Sequence, residues 1–346
     1  MEIIGEKSEV CDEKQRTTLI LLGLTDDPEL QVQIIFLFLT YTLSLTGNMT
    51  IITLTFVDSH LKTPMYFFFK NVSLEISFTS SCIPRYLYSI ATGDRVIAYN
   101  ASVIQVSFTD LCGLTEFFLL ATMSYDCYVA ICKSLHYVTI MSNRVCRILI
   151  IFCWMAGLCI LIPPLSLGLN LKLCDSNKID HFGCDAFPLL KISCSYTWLK
   201  EQMVIICAVL TLNMTLICVV LSYACIIKTI LRFRSAQQRK KPFLTCSSHI
   251  RVVTITYGTC IFIYLNPTAK GEVIIKKVVS LLIFSVSSTL NSFIYTFRNN
   301  QVKKAFKDSM KKIALLSSKI SEAETKLCNQ KEEWVEQDEW VEQDKK

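Results

Sequence analysis

The chain has 346 residues, of which 52% are hydrophobic and only 18% are charged. Soluble domains carry about 25% charged residues, so this composition favours a membrane protein. The net charge of +6 does not indicate nucleic-acid binding, because the lysines and arginines border long apolar blocks, where anionic lipid would meet them first. The sequence has no Gly-x-Ser-x-Gly turn, no glycine-rich phosphate loop and only four histidines, so we expect neither an enzyme nor a cofactor-binding protein.

Seven apolar blocks follow one another along the chain. Each is long enough to cross a hydrocarbon core of about 30 Å as a helix. The second, third and sixth blocks contain charged residues, whereas the other four do not. The blocks cover residues 30–57, 65–91, 98–123, 148–171, 203–227, 243–265 and 278–297. This pattern predicts an all-α membrane protein with a seven-transmembrane helix bundle.

Lysine and arginine near the block ends predict the orientation. They gather after the third, fifth and seventh blocks, and loops rich in these residues stay in the cytoplasm. We therefore expect residues 1–29 to form an extracellular N-terminus, without a cleavable signal peptide, before a transmembrane domain at 30–297. We expect a short amphipathic cytoplasmic helix at 298–316, lying on the lipid of the inner leaflet. The last segment, 317–346, is polar and contains the tandem repeat EWVEQD. Its composition predicts a disordered tail.

Three carboxylates lie inside apolar blocks, where a charge is costly and often functional. Glu75 and Glu116, in the second and third blocks, are candidates for sharing a proton or a sodium ion. Alternatively, one of them is protonated and bonded to polar neighbours such as Asn48 and Asn291. Asp110, near the outer end of the third block, could pair with a cationic ligand group if it faces a bundle cavity.

The loop between the fourth and fifth blocks contains three cysteines, Cys174, Cys184 and Cys194. By the orientation above they are extracellular, in an oxidising compartment where disulfides form. An odd number leaves one thiol over unless it finds a partner elsewhere. His181 and Cys184 supply only two metal ligands, so we expect no metal site in this loop.

Five short motifs resemble a known receptor family, and they occur in that family's order. Each falls at the cytoplasmic end of a predicted helix, while Gly47, Asn48 and Trp154 add single-residue matches in the first and fourth helices. The motifs are LKTPMYFF (61–68), MSYDCYVAIC (123–132), SYACII (222–227), KPFLTCSSH (241–249) and LNSFIYTFRN (290–299). Over about residues 19–312, the chain resembles the olfactory branch of the rhodopsin-like G-protein-coupled receptors.

The resemblance implies a multi-pass plasma-membrane receptor with its N-terminus outside and its C-terminus in the cytoplasm. A small odorant would bind in the outer half of the bundle and open the inner face to a stimulatory olfactory G protein. The positions implied for the odorant pocket are Thr109, Asp110, Gly113, Cys207, Thr211, Tyr257, Cys260, Ile261 and Tyr264. Those implied for activation and G-protein coupling are Asp126, Cys127, Tyr128, Tyr223, Asn291, Ser292 and Tyr295. Asp110 stands where relatives carry an apolar residue, which raises the hypothesis of an amine-type odorant.

Two departures from the family pattern concern activation. Cys127 replaces the arginine of the family's Asp-Arg-Tyr triplet, whose guanidinium could pair with Asp126 at rest and reach a partner when active. Ser292 replaces a proline that would kink the seventh helix. The sequence thus raises the question of whether the receptor can switch without the arginine.

Other departures concern the outer face and the second helix. Ser102 replaces a cysteine whose usual partner corresponds to Cys184, so the resemblance leaves Cys174 and Cys194 as the expected disulfide. The second helix is one residue shorter than in relatives, between positions 71 and 75. Two alternatives follow: a degenerate receptor that inserts but couples poorly, and a transporter with a Glu75–Glu116 relay. The transporter is disfavoured because the sequence has no matched internal repeats.

Overall fold

The computed structural model describes residues 18–22, 30–57, 67–68, 71, 75–168, 178–179, 189–190, 192, 198–233, 235–265 and 300–343. Several predicted features lie outside these residues: the block 278–297 with Asn291, Ser292 and Tyr295, the loop cysteines Cys174, Cys184 and Cys194, and most of the motif LKTPMYFF. The predictions for these positions therefore stay predictions.

The described part of the chain is mostly helical. Its long helices are α1 (Leu30–Val57), α2 (Glu75–Thr92), α3 (Tyr99–Cys132), α4 (Asn143–Gly168), α5 (Trp198–Arg232), α6 (Ala236–Leu265) and α7 (Asn300–Gln343). Helices α1 to α6 overlap the first six predicted blocks, and α1 has the predicted bounds. Among the described residues, α1, α3, α4 and α5 are long and apolar enough to cross a membrane. Helices α2 and α6 contain more charged and polar residues, such as the stretch AQQRKK that begins α6.

Helix α3 is central, because it packs against α2, α4, α5 and α6. Its 34 residues rise about 51 Å, so it is longer than a hydrocarbon core of about 30 Å. The buried residues Leu119, Leu120 and Met123 of α3 form the main core together with residues of the other helices, such as Val219 and Val252. Phe38, Ile217 and Leu221, by contrast, lie on exposed outward faces. This distribution fits helices that present apolar side chains to lipid as well as to each other.

The close approach of α3 and α4 depends on a glycine. A Cβ atom added at Gly157 would lie 2.9 Å from Oγ1 of Thr115 and 3.4 Å from Cδ1 of Leu111. Small residues at helix interfaces allow backbones in membranes to approach closely. Gly157 therefore sets the distance between these two helices.

A small three-stranded sheet covers the N-terminal end of α3, which the all-α prediction did not include. Its strands are β1 (Thr18–Leu21), β2 (Val96–Ala98) and β3 (Lys178–Ile179), in the order β2-β1-β3. β1 pairs antiparallel with β2 and parallel with β3. The buried Leu19, Leu21 and Ile179 pack with Val106 of α3 beneath the sheet. Such short strands have no readable sequence period, and their pairing joins distant segments, so sequence patterns missed them.

Helix α7 differs from the expected arrangement of a short helix and a disordered tail. It continues from Asn300 to Gln343 through most of the segment 317–346. The physical reason lies in its composition: the helix has no glycine or proline and is rich in lysine, glutamate and glutamine, which have high helix propensity. Low hydrophobicity suggested disorder, but strong helix formers favour a regular backbone.

Candidate functional site

A short helical connection brings the residues after α3 back against that helix. A 3-10 turn, Ser134–His136, is followed by a one-turn helix, Tyr137–Ile140, before α4 begins. The backbone N–H of His136 donates to the carbonyl of Lys133 over 2.9 Å, and that of Met141 donates to the carbonyl of Tyr137 over 2.8 Å. These local bonds hold Tyr137 beside the last turns of α3.

Asp126 has a partner in this connection. Its side chain is buried, and the hydroxyl of Tyr137 donates a hydrogen bond to its Oδ1 over 3.0 Å. Burial, followed by the neighbouring Asp126 charge, raises the pKa of Tyr137 far above its ordinary value, so the hydroxyl stays protonated and can donate. Sequence reasoning left Asp126 without the arginine that relatives offer, and the structure supplies a tyrosine hydroxyl instead.

Cys127 lies buried between α3 and α6. Its thiol lies close to the thiol of Cys246, which is also buried and belongs to α6. Both residues are free cysteines and belong to the main apolar core. The position where the sequence resemblance predicts a long guanidinium therefore contains a short side chain packed against α6.

A second pair connects α5 with α6 at the same end of the bundle. The hydroxyl of Tyr223 and Nδ1 of His249 are 2.6 Å apart, and the two rings stack with their centroids 5.9 Å apart. Both side chains are buried. Nearby, Sγ of Cys132 lies 3.1 Å from Oγ1 of Thr229, which ties the last turn of α3 to α5.

We call Asp126, Cys127, Tyr137, Tyr223, Cys246 and His249 the α3-end cluster. Among the predicted coupling residues, Asp126, Cys127 and Tyr223 belong to it, whereas Tyr128 instead has the ammonium of Lys133 5.9 Å from its ring centroid. Sequence reasoning did not single out Tyr137, Cys246 or His249. A signal existed for the last two, since both lie in KPFLTCSSH at a spacing that puts them on one helix face.

The predicted odorant-pocket residues of α3 and α5 differ in their surroundings. Thr109 is buried, with its Oγ1 3.7 Å from Sγ of Cys82 on α2. Asp110 and Gly113 are half-buried on α3, and Cys207 is half-buried on α5. The hydroxyl of Thr211 donates to the carbonyl of Cys207 over 2.7 Å, within its own helix.

The predicted pocket residues of α6 differ in how deeply they are buried. Tyr257 is buried and makes an edge-to-face contact with Phe117 of α3, with ring centroids 5.1 Å apart. Cys260 is half-buried, whereas Ile261 is 39% exposed. The side chain of Tyr264 lies outside the described residues. Tyr257 and Cys260 are therefore better placed towards α3 than Ile261 is.

Glu116 interacts with α6 in the middle of the bundle. The hydroxyl of Thr256 donates to Oε1 of Glu116 over 3.4 Å. The side chain of its predicted partner Glu75 lies outside the described residues, so the sharing of a proton or ion stays a prediction. Asn48 donates to the carbonyl of Ser44 over 3.0 Å. Within the described ranges, no group of three His, Cys, Asp or Glu side chains is placed to hold a metal ion.

Ser102, where the sequence resemblance predicts a cysteine, is fully buried near the N-terminal end of α3. Its hydroxyl has no hydrogen-bond partner among the residues that the structure describes. A buried hydroxyl without a partner costs about 1–3 kcal/mol. Serine therefore places an unfavourable polar group at a fully buried position.

Comparison with known proteins gives the family. A family model described as Olfactory receptor matches residues 37–313. Olfactory receptor 6C68 of Homo sapiens is 68% identical over 300 residues, covering 86% of this chain and 96% of the relative. Olfactory receptor 6C2 of Homo sapiens is 67% identical over 304 residues, covering 87% of this chain and 97% of the relative. The chain belongs to the olfactory receptor family, whose members are multi-pass G-protein-coupled receptors that sense odorants and are not enzymes.

Proposed function

We propose that this receptor binds a small volatile ligand between α3, α5 and α6 and signals to a stimulatory olfactory G protein through the α3-end cluster. The observation that carries the proposal is the central position of α3, which holds both the predicted pocket residues and Asp126 and Cys127. Asp110 and Cys127 are 17 positions apart, which corresponds to about 26 Å along a helix. One rigid helix thus connects the two sites.

In this proposal, ligand binding opens the inner face of the bundle where α6 packs against α3 and α5. The contacts of Cys127 with Cys246 and of Tyr223 with His249 hold α6 in place. A ligand opens this end only if it binds the open state more tightly than the closed state. Because a thiol is a weak donor and acceptor, the Cys127 contact restrains α6 less than an ionic bond would.

A second candidate is a receptor that enters the membrane but couples weakly. The buried position of Cys127 favours it, because a short thiol enclosed by α6 cannot extend to a G protein as a guanidinium can. The orphan hydroxyl of Ser102 also favours it, since it weakens the fold at the other end of α3. Both candidates share the same architecture and differ in output.

One experiment separates the two candidates: a cyclic AMP reporter assay with an odorant panel, combined with antibody staining of intact cells. For a competent receptor we expect surface staining and an odorant response from the unaltered chain. For a weakly coupling receptor we expect the wild type to give neither surface staining nor an odorant response. The triple variant Cys127→Arg, Ser292→Pro, Ser102→Cys should then restore both. Silence of the triple variant at normal surface density would refute coupling to this G protein.

A further inference from the structure

Helix α7 contains an apolar stripe with a strict seven-residue repeat. The stripe consists of Phe306, Ile313, Ile320, Leu327, Trp334 and Val341, all within Asn300–Gln343. The side chains of Phe306, Ile313 and Ile320 are 43%, 58% and 58% exposed. Ala305, one position before the stripe, is buried in the bundle core. The bundle therefore anchors the start of α7 but leaves the first half of the stripe uncovered.

The repeat length indicates what kind of surface can cover the stripe. Residues seven apart drift by about 20° around a straight helix, or about 100° over the five intervals of this stripe. A flat lipid surface can follow only a stripe that stays parallel to the helix axis. A second helix that winds around the first can follow the drift of a seven-residue repeat. The repeat therefore favours a helical partner over a bilayer.

The charges of α7 divide the helix into two halves. Residues 300–320 contain six lysines and one aspartate, whereas residues 321–343 contain eight acidic residues and two lysines. The acidic half would be repelled by the anionic inner leaflet. In a parallel pair of α7 helices, halves of the same charge would lie side by side and repel each other. In an antiparallel pair, the basic half of each copy lies beside the acidic half of the other. The helix is thus complementary to its own reversed copy.

We propose that α7 is a self-association site at which the α7 helix of a second copy of this receptor docks in antiparallel orientation. In this pair position 306 lies opposite position 341 of the second copy, 313 opposite 334, and 320 opposite 327, so the register matches all six positions of the repeat. Two copies inserted in the same orientation are related by a twofold axis along the membrane normal, and such an axis makes equivalent helices that lie perpendicular to it antiparallel.

A charge-swap experiment on the full-length receptor tests the proposal. The acidic variant carries Lys307→Glu, Lys311→Glu and Lys312→Glu. The basic variant carries Glu332→Lys, Glu333→Lys and Glu336→Lys. Two differently tagged copies are expressed together in cells, and co-precipitation from mild detergent is measured at equal amounts of membrane-inserted receptor.

We expect wild-type copies to co-precipitate, each variant to lose association with itself by about tenfold, and the mixed pair of acidic and basic variants to recover it. Equal association of all combinations would overturn the proposal. Loss in both variants without recovery in the mixed pair would also overturn it, because α7 would then act through lipid or through another protein.

Cross-linking tests the antiparallel direction. In a Cys328→Ser background, one copy carries Ile313→Cys and the other carries Trp334→Cys, and a short bismaleimide is added to isolated membranes. We expect this combination to cross-link about tenfold more than Ile313→Cys with itself, measured against the background without an introduced cysteine. A dominant cross-link between two Ile313→Cys copies would show a parallel pair and contradict the proposal.

Discussion

The hydroxyl of Tyr137 donates a hydrogen bond to Oδ1 of Asp126 over 3.0 Å. Asp126 is 3% exposed, so the bond satisfies a carboxyl that is enclosed by protein and next to a cysteine instead of an arginine. The bond also ties the connection after α3 to the helix itself. Asp126 therefore has a donor even though the arginine that the sequence resemblance predicts is absent beside it.

The first prediction concerns this bond. Tyr137→Phe removes the hydroxyl and leaves the carboxyl of Asp126 without it, which we expect to cost about 1–3 kcal/mol of stability. The measurement is thermal unfolding of the detergent-purified receptor. Tyr125→Phe is the matched control, because Tyr125 is 42% exposed on α3, the helix that carries Asp126. Equal melting temperatures for both variants would contradict the prediction.

The same bond has a defined pH dependence. Burial and the neighbouring Asp126 raise the pKa of Tyr137 above its ordinary value of 10.0. A raised pKa in the folded state gives stability that is complete below the ordinary value and is lost as the pH rises through the folded-state pKa. We therefore expect the contribution of the Tyr137 hydroxyl to stay constant at alkaline pH up to about pH 9. Melting curves of wild type and Tyr137→Phe across this range measure it.

The second prediction concerns the missing guanidinium. Cys127→Arg breaks the contact with Cys246 and introduces a permanent fork of donors beside Asp126. We expect the odorant-dependent cyclic AMP signal to rise about tenfold at equal surface density. Cys127→Lys is the control, since it adds a charge without the planar fork. A lysine variant as active as the arginine variant would mean that charge alone suffices.

The third prediction concerns the distance between α3 and α4. Gly157→Ala places a Cβ atom 2.9 Å from Oγ1 of Thr115, and we expect overpacking to destabilise the receptor by about 1–3 kcal/mol. Gly258→Ala is the control, because a Cβ there meets nothing within 4 Å and gains the same helix propensity. Adding Thr115→Ala to Gly157→Ala should restore the melting temperature. Failure of this rescue would locate the clash elsewhere.

The fourth prediction concerns ligand charge. If Asp110 pairs with an amine-type odorant, Asp110→Asn should weaken the cyclic AMP response to amines by about tenfold and leave neutral odorants unchanged. Asp94→Asn is the control, since it removes an exposed carboxyl that pairs with Arg85 over 3.5 Å. An unchanged amine response in Asp110→Asn rules the amine hypothesis out.

Sequence patterns predicted where helices occur more accurately than the residues at which they end. The apolar block 98–123 predicted a helix, but α3 continues to Cys132 because helical hydrogen bonding does not stop where hydrophobicity does. The tail 317–346 was expected to be disordered from its polarity, yet α7 continues to Gln343 because its residues favour a helix. In both cases hydropathy predicts whether a segment lies in lipid or in water, whereas helix propensity decides its backbone conformation.

The sequence by itself determined the membrane class, the first six helices and the receptor family, because apolar runs and short motifs are local properties of the chain. Only the tertiary structure decided which residues meet. It paired Tyr137 with Asp126, Cys246 with Cys127 and Thr256 with Glu116, and it joined Thr18–Leu21 to Val96–Ala98 in a sheet. Most of these partners come from separate helices or strands, so their contacts depend on how the elements pack and have no periodic signal in the sequence.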